Sequence, residues 1–98
     1  MPDLDRVIHQ PVRLRIMAAL MALGPKEQVD FTHLRDLLAA TDGNLGAHLQ
    51  RLDEAGYIAV EKTFVARKPR TWVKATGLGR DAFAGYLATL KRIVEGSV

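Results

Sequence analysis

Apolar residues recur at helical spacing through the first quarter of the chain: Leu4, Val7 and Ile8, then Ile16, Met17, Leu20 and Leu23. Pro11 interrupts the series. Proline suits the first turn of a helix, where its missing N–H costs nothing. The pattern therefore predicts a short lead-in and then a helix over 11–23, stopped by Gly24-Pro25. The polar run 26–30 reads as a loop, and Val29-Asp30-Phe31 as a short extended stretch within and after it. Thr32 is then expected to cap a second helix of about two turns, with Leu34, Leu37 and Leu38 on one face. Residues 39–42 make a tight connection. Thr41 is the expected N-cap of a third helix, and Asp42 sits where the positive helix terminus favours an anion. Leu45, Leu49 and Leu52 form the inward face of that helix, and Gly56 closes it.

At this point the period changes from helical to alternating. Residues 57–64 read as a strand with Ile58 and Val60 inward. Residues 65–70, with one proline and three basic residues, read as a loop, and 71–76 as the returning strand. Two such strands joined by a short loop imply an antiparallel hairpin. Thr76 should cap a last helix over 77–94, with Phe83, Tyr86, Leu87, Leu90, Ile93 and Val94 as its apolar positions. The fold class is α+β and mostly α. Three helices are followed by a basic hairpin and a C-terminal helix, in one domain over 1–98. Its helix-turn-helix covers about 32–55 and its wing covers 57–76.

Composition changes this picture little. The chain has 98 residues, enough for one domain with a modest core to which a second subunit could add. It has no cysteine, which excludes disulfides and thiolate metal sites. No apolar run approaches the ~18–20 residues of a membrane span. The acidic, polar start does not read as a signal peptide, so a cytoplasmic, nucleoid-associated protein of a prokaryote is expected.

Charge changes it more. Residues 1–61 carry six Lys/Arg against nine Asp/Glu. Residues 62–80 carry six basic residues (Lys62, Arg67, Lys68, Arg70, Lys74, Arg80) and no acid. The net charge of +3 thus hides a +6 segment on the hairpin and its flank. A basic hairpin tip can lie along a phosphate backbone or enter a minor groove, where arginine is favoured. With its leucines buried, the third helix turns out Gly43, Asn44, Ala47, His48 and Arg51 beside Thr41. Small residues permit close approach to a major groove. Asn, His and Arg can bond to base edges or phosphates. The candidate DNA-binding set is therefore Thr41, Gly43, Asn44, Ala47, His48, Arg51, Arg67, Lys68 and Arg70.

The run 41–58, with its His-Leu-x-x-Leu-x-x-Ala-Gly-Tyr core, resembles the recognition-helix segment of short winged helix-turn-helix regulators related to the MarR and ArsR groups. Residues 67–71 resemble their wing, 11–16 their first helix and 76–80 the start of their last. The resemblance implies a transcriptional regulator that binds double-stranded operator DNA as a homodimer. It also implies a dimer interface built from the first and last helices, here Leu4, Val7, Ile8, Phe83, Leu87, Leu90 and Val94. An apolar face too wide for one modest core points the same way.

Three other functions compete with this one. A metal sensor would need clustered ligands, whereas His9, His33 and His48 fall on three different helical segments with no second ligand at helical spacing. No metal or other cofactor is expected. An enzyme would need a nucleophile–base pair, a phosphate loop or paired carboxylates, and none is placed. A winged helix used for protein or RNA contacts is the remaining alternative. The first would not need three cations at the wing, and the second would more often show exposed aromatics. Trp72 is expected against the wing's base or the last helix. No feature names an effector.

Overall fold

The structure, a computed structural model, describes residues 3–96. The lead-in is a set of turns in which Asp5 Oδ1 accepts from the backbone N–H groups of Val7 (2.8 Å) and Ile8 (3.2 Å). The Tyr57 hydroxyl donates to the other Asp5 oxygen, tying this segment to the far side of the molecule. That bond, with burial, pushes the Tyr57 phenol up to about 12. The first helix, α1 (Pro11–Met21), has its proline in the first turn, and Gln10 caps it by accepting from Arg13 N–H. It stops slightly short of the expected residue 23.

A two-residue strand, β1 (Val29–Asp30), leads into α2 (Phe31–Leu37). The cap is Asp30, not Thr32: Asp30 Oδ1 accepts from Thr32 N–H (2.7 Å) and His33 N–H (3.2 Å). The helix turns Leu34 and Leu38 inward, while Leu37, about 100° round from Leu38, stays 60% exposed. The chain then reverses through Ala39 at φ 52°. Its N–H bonds Asp36 O, and that of Ala40 bonds Arg35 O, the two bonds of a Schellman motif. The third helix, α3 (Asp42–Glu54), begins as expected with Thr41 Oγ1 accepting from Asn44 N–H (3.1 Å). Gly56 at φ 79° ends it in a second Schellman motif.

The hairpin is longer and tighter than expected. Strands β2 (Ile58–Val65) and β3 (Lys68–Ala75) pair antiparallel over eight residues each, and only Ala66 and Arg67 form the turn. Both have positive φ (51° and 66°), as a type I′ turn requires, although neither is the usual Asn or Gly. Residues 65 and 68–70, expected as loop, are therefore strand. Pro69 is tolerated because it lies opposite Phe64, one pair from the turn, where β3 has no neighbour on its other side. The sheet order is β1-β3-β2.

The last helix, α4 (Gly77–Val94), is capped by Thr76, whose Oγ1 accepts from Gly79 N–H and donates to Gly56 O. A Cβ on Gly79 would lie 2.0 Å from Tyr57 O, so the absence of a side chain is what lets α4 dock there. The core gathers Ile16, Met17 and Leu20 of α1, Leu34 and Leu38, the three leucines of α3, Ile58 and Val73 of the sheet, and Phe83 of α4. Val60, expected inward, is partly exposed where the hairpin leaves the body. Among the described residues no helix is long and apolar enough to cross a membrane.

Candidate nucleic-acid interface

One face of α3, from its cap to Arg51 in its last turn, presents the expected surface. Thr41, Gly43, Asn44, Ala47 and Arg51 are all exposed. A Cβ on Gly43 would meet nothing within 4 Å, so this turn leaves open space for close approach. Its first turn is anchored to α2 by Arg35, whose guanidinium lies 2.7 Å from Asp42 Oδ1.

His48 differs from the rest of that face. It is half-buried, and Arg13 Nη1 of α1 donates to its Nδ1 at 3.1 Å. Burial lowers the imidazole below its ordinary value, and the Arg13 charge lowers it further. The Nδ1 lone pair of His48 is thus committed to Arg13. What His48 can offer DNA is the Nε2–H donor alone. Arg13 also donates to the carbonyls of Val7 and Arg6, so one guanidinium joins the lead-in segment to the recognition helix. The sequence reading assigned Arg13 no role. Its long-range partner could not be read from local spacing.

On the wing, Arg67 and Lys68 are exposed and make no ion pair among the described residues. Arg70, expected to be free at the tip, is not. Its Nε lies 3.3 Å from Asp30 Oδ2, and its guanidinium stacks over Trp72 at 5.5 Å from the ring centroid. Arg70 is drawn back because the register places it on β3 beside the end of β1. Trp72 stays on the wing, donating to Thr63 Oγ1 at 3.0 Å. Arg80 is also engaged: its Nη2 donates to the Leu23 and Gly24 carbonyls that end α1. The +6 segment thus contributes two free cations at the tip, with Lys62 and Lys74 exposed further down the strands. Between α3 and the wing lies an open groove of about 390 Å³, walled by Leu49, Gln50 and Asp53 on one side and Val60 and Lys62 on the other.

The residues expected at a dimer interface divide. Ile8 and Phe83 are buried within the chain's own core, which leaves them almost no surface for a contact with a second copy. Leu4, Val7 and Leu90 are partly buried against that core. Leu87 and Val94 are 46% and 77% exposed. Tyr86 is buried, and its hydroxyl lies 2.9 Å from His9 Nδ1. The apolar surface of α4 is thus divided along its length rather than around its girth. Phe83 and Tyr86 near its middle belong to the core, whereas Leu78 near its start and Leu87, Ile93 and Val94 toward its end are exposed. His33 is on the surface of α2, and among the described residues no cluster of three or more His, Asp or Glu could hold a metal ion.

With this geometry in view, residues 12–94 match the family model described as a winged helix DNA-binding domain. An uncharacterized protein of Methanocaldococcus jannaschii is 35% identical over 82 residues, covering 84% of this chain and 86% of the relative. A solved structure of a transcriptional regulator homologue from Pyrococcus horikoshii is 32% identical. It superposes with a TM-score of 0.83 over 94% of this chain and 88% of that one. A PadR family regulator from Eggerthella lenta, 23% identical over 84% of this chain and 76% of its own, shares the fold with a TM-score of 0.67.

Proposed function

This chain belongs to the family of winged helix DNA-binding domains, and on that premise we propose that it is a sequence-specific regulator of transcription that acts as a homodimer. The observation that carries the reading is the pairing of two surfaces on one body. One is the exposed face of α3, with its small and hydrogen-bonding residues. The other is a hairpin closed by a two-residue turn, with two cations at its tip that make no ion pair among the described residues. In this reading α3 enters the major groove. Asn44 and Arg51 contact base edges or phosphates, with His48 Nε2–H beside them. Thr41, Gly43 and Ala47 set the closeness of approach. Arg67 and Lys68 hold the flanking backbone, while Arg70 acts by bracing the wing.

The exposed Leu87, Ile93 and Val94 of α4, with Leu90, Leu4 and Val7 at their margin, supply the surface for a second copy. A two-fold dimer places two α3 helices about one helical turn (~10 bp) apart. Occupancy of such a site excludes other proteins from the same DNA, so repression is the direction of control we assign, in the compartment that holds the DNA. Selection of bound duplexes from a random pool tests the reading. An enriched palindrome with half-sites about 10 bp apart is the expected result, and a pool that gains no common sequence would contradict it.

A further inference from the structure

Phe64 is the most exposed aromatic on the wing, at 77%, and nothing in the protomer covers it. A single exposed apolar side chain is ordinary in itself. Its position is not. Phe64 lies opposite Pro69 on one face of the hairpin, one pair from the turn, and Val65, 47% exposed, lies on the other face opposite Lys68. The apex between them is a two-residue turn held at positive φ by Ala66 and Arg67. The base of the wing is fixed by the Trp72–Thr63 bond and by Arg70 on Asp30. An aromatic ring is therefore carried next to the apex that bears Arg67, with Lys68 on the opposite face of the same tip.

We infer that Phe64 is an apolar wedge that enters the DNA minor groove at a flexible base step and bends the duplex, with Arg67 and Lys68 seating the tip on the adjacent phosphates. The chemistry follows from the juxtaposition. Cations bring the tip to a polyanion, and a groove floor of stacked bases is the one apolar surface a phosphate-lined partner offers. Insertion of Phe between base pairs costs unstacking, which is least at pyrimidine–purine steps such as TpA, and it kinks the duplex. The alternative occupant, a second copy of this chain, is disfavoured at the tip because Arg67 and Lys68 of two copies would be brought together.

This inference rests on the DNA-binding reading, and its test separates the two. The probes are a 30-bp A/T duplex with central TpA steps and donor and acceptor dyes at its ends, and the same duplex with those steps replaced by an A-tract. Wild-type protein should raise energy transfer on the first duplex and prefer it to the second. Phe64→Ala should abolish the bend and weaken binding to the TpA duplex about tenfold, the lower range for an aromatic lost from a base stack. The preference for TpA should vanish, while the salt dependence set by Arg67 and Lys68 stays unchanged. Phe64→Leu, which keeps an apolar wedge, should retain most of the bend. Wild-type protein bound without bending, or Phe64→Ala bending and discriminating as wild type does, would overturn the wedge and leave DNA binding intact. A change of sedimentation in Phe64→Ala would also overturn it, by assigning Phe64 to contacts between copies. Failure of wild-type protein to bind either duplex even at low salt, where cations on a DNA-binding surface hold phosphates regardless of sequence, would instead overturn the reading on which it rests.

Discussion

Asp30 holds two elements at once: its Oδ1 caps α2, while its Oδ2 lies 3.3 Å from Arg70 Nε on the wing. One side chain thus sets where the helix-turn-helix begins and where the hairpin leans. Asp30→Ala should cost about 1 kcal/mol or somewhat more, chiefly through the lost cap. Asp30→Asn keeps a good capping oxygen and loses only the charge facing Arg70, a partly exposed pair worth about 0–1 kcal/mol. Urea unfolding of the two variants should therefore rank them clearly, with Asn close to wild type. Equal losses would remove the cap as the main contribution.

The Arg13–His48 contact gives stability a pH dependence of known sign. The folded-state imidazole is depressed below its ordinary value of 6.5. Its contribution is therefore present above pH 6.5 and is lost as pH falls through the lower folded-state value. His48→Gln keeps an acceptor for Arg13 and cannot titrate. Between pH 7.5 and 5, wild type should lose more stability than His48→Gln in parallel urea titrations. Parallel curves would show that His48 keeps its ordinary affinity for protons.

Two glycines of α4 should respond in opposite directions to the same change. Gly79→Ala drives a methyl group to 2.0 Å from the Tyr57 carbonyl, so α4 must shift, at a cost of about 1–3 kcal/mol or more. Gly85→Ala meets nothing within 4 Å in the same helix and should stabilise by about 0.5–1 kcal/mol. Thermal unfolding of both reads the contrast directly. A harmless Gly79→Ala would mean that α4 does not dock on residues 56–57 as described.

The same residues show what was legible in the sequence. The α3 and α4 helices were readable to within a residue because Thr41 and Thr76 are local caps and the leucine spacing is local. The second cap was misplaced because Asp30 and Thr32 are both competent. Pairing of Val29 and Asp30 with β3, about forty residues away, fixes where the extended chain ends. The turn at Ala66-Arg67 carries no Asn or Gly signal, so in the sequence the basic run around Pro69 has the stronger loop composition. Arg70 looked like a tip cation because its partner lies far off in sequence. Phe83 looked like interface because its stripe runs on to Leu87, Leu90 and Val94, and periodicity does not say where along a helix the body ends.

The central claim, that α3 and the free cations of the wing together bind DNA, is tested most directly by the salt dependence of affinity for a duplex enriched by selection. Wild-type affinity should fall steeply and linearly on a log–log plot. Arg67→Ala with Lys68→Ala removes two cations from each copy of the dimer and should lower the slope by about three to four while preserving the preference for the selected sequence. Asn44→Ala should do the reverse, blunting the preference and leaving the slope nearly unchanged. A slope that the two wing substitutions do not alter would contradict the account.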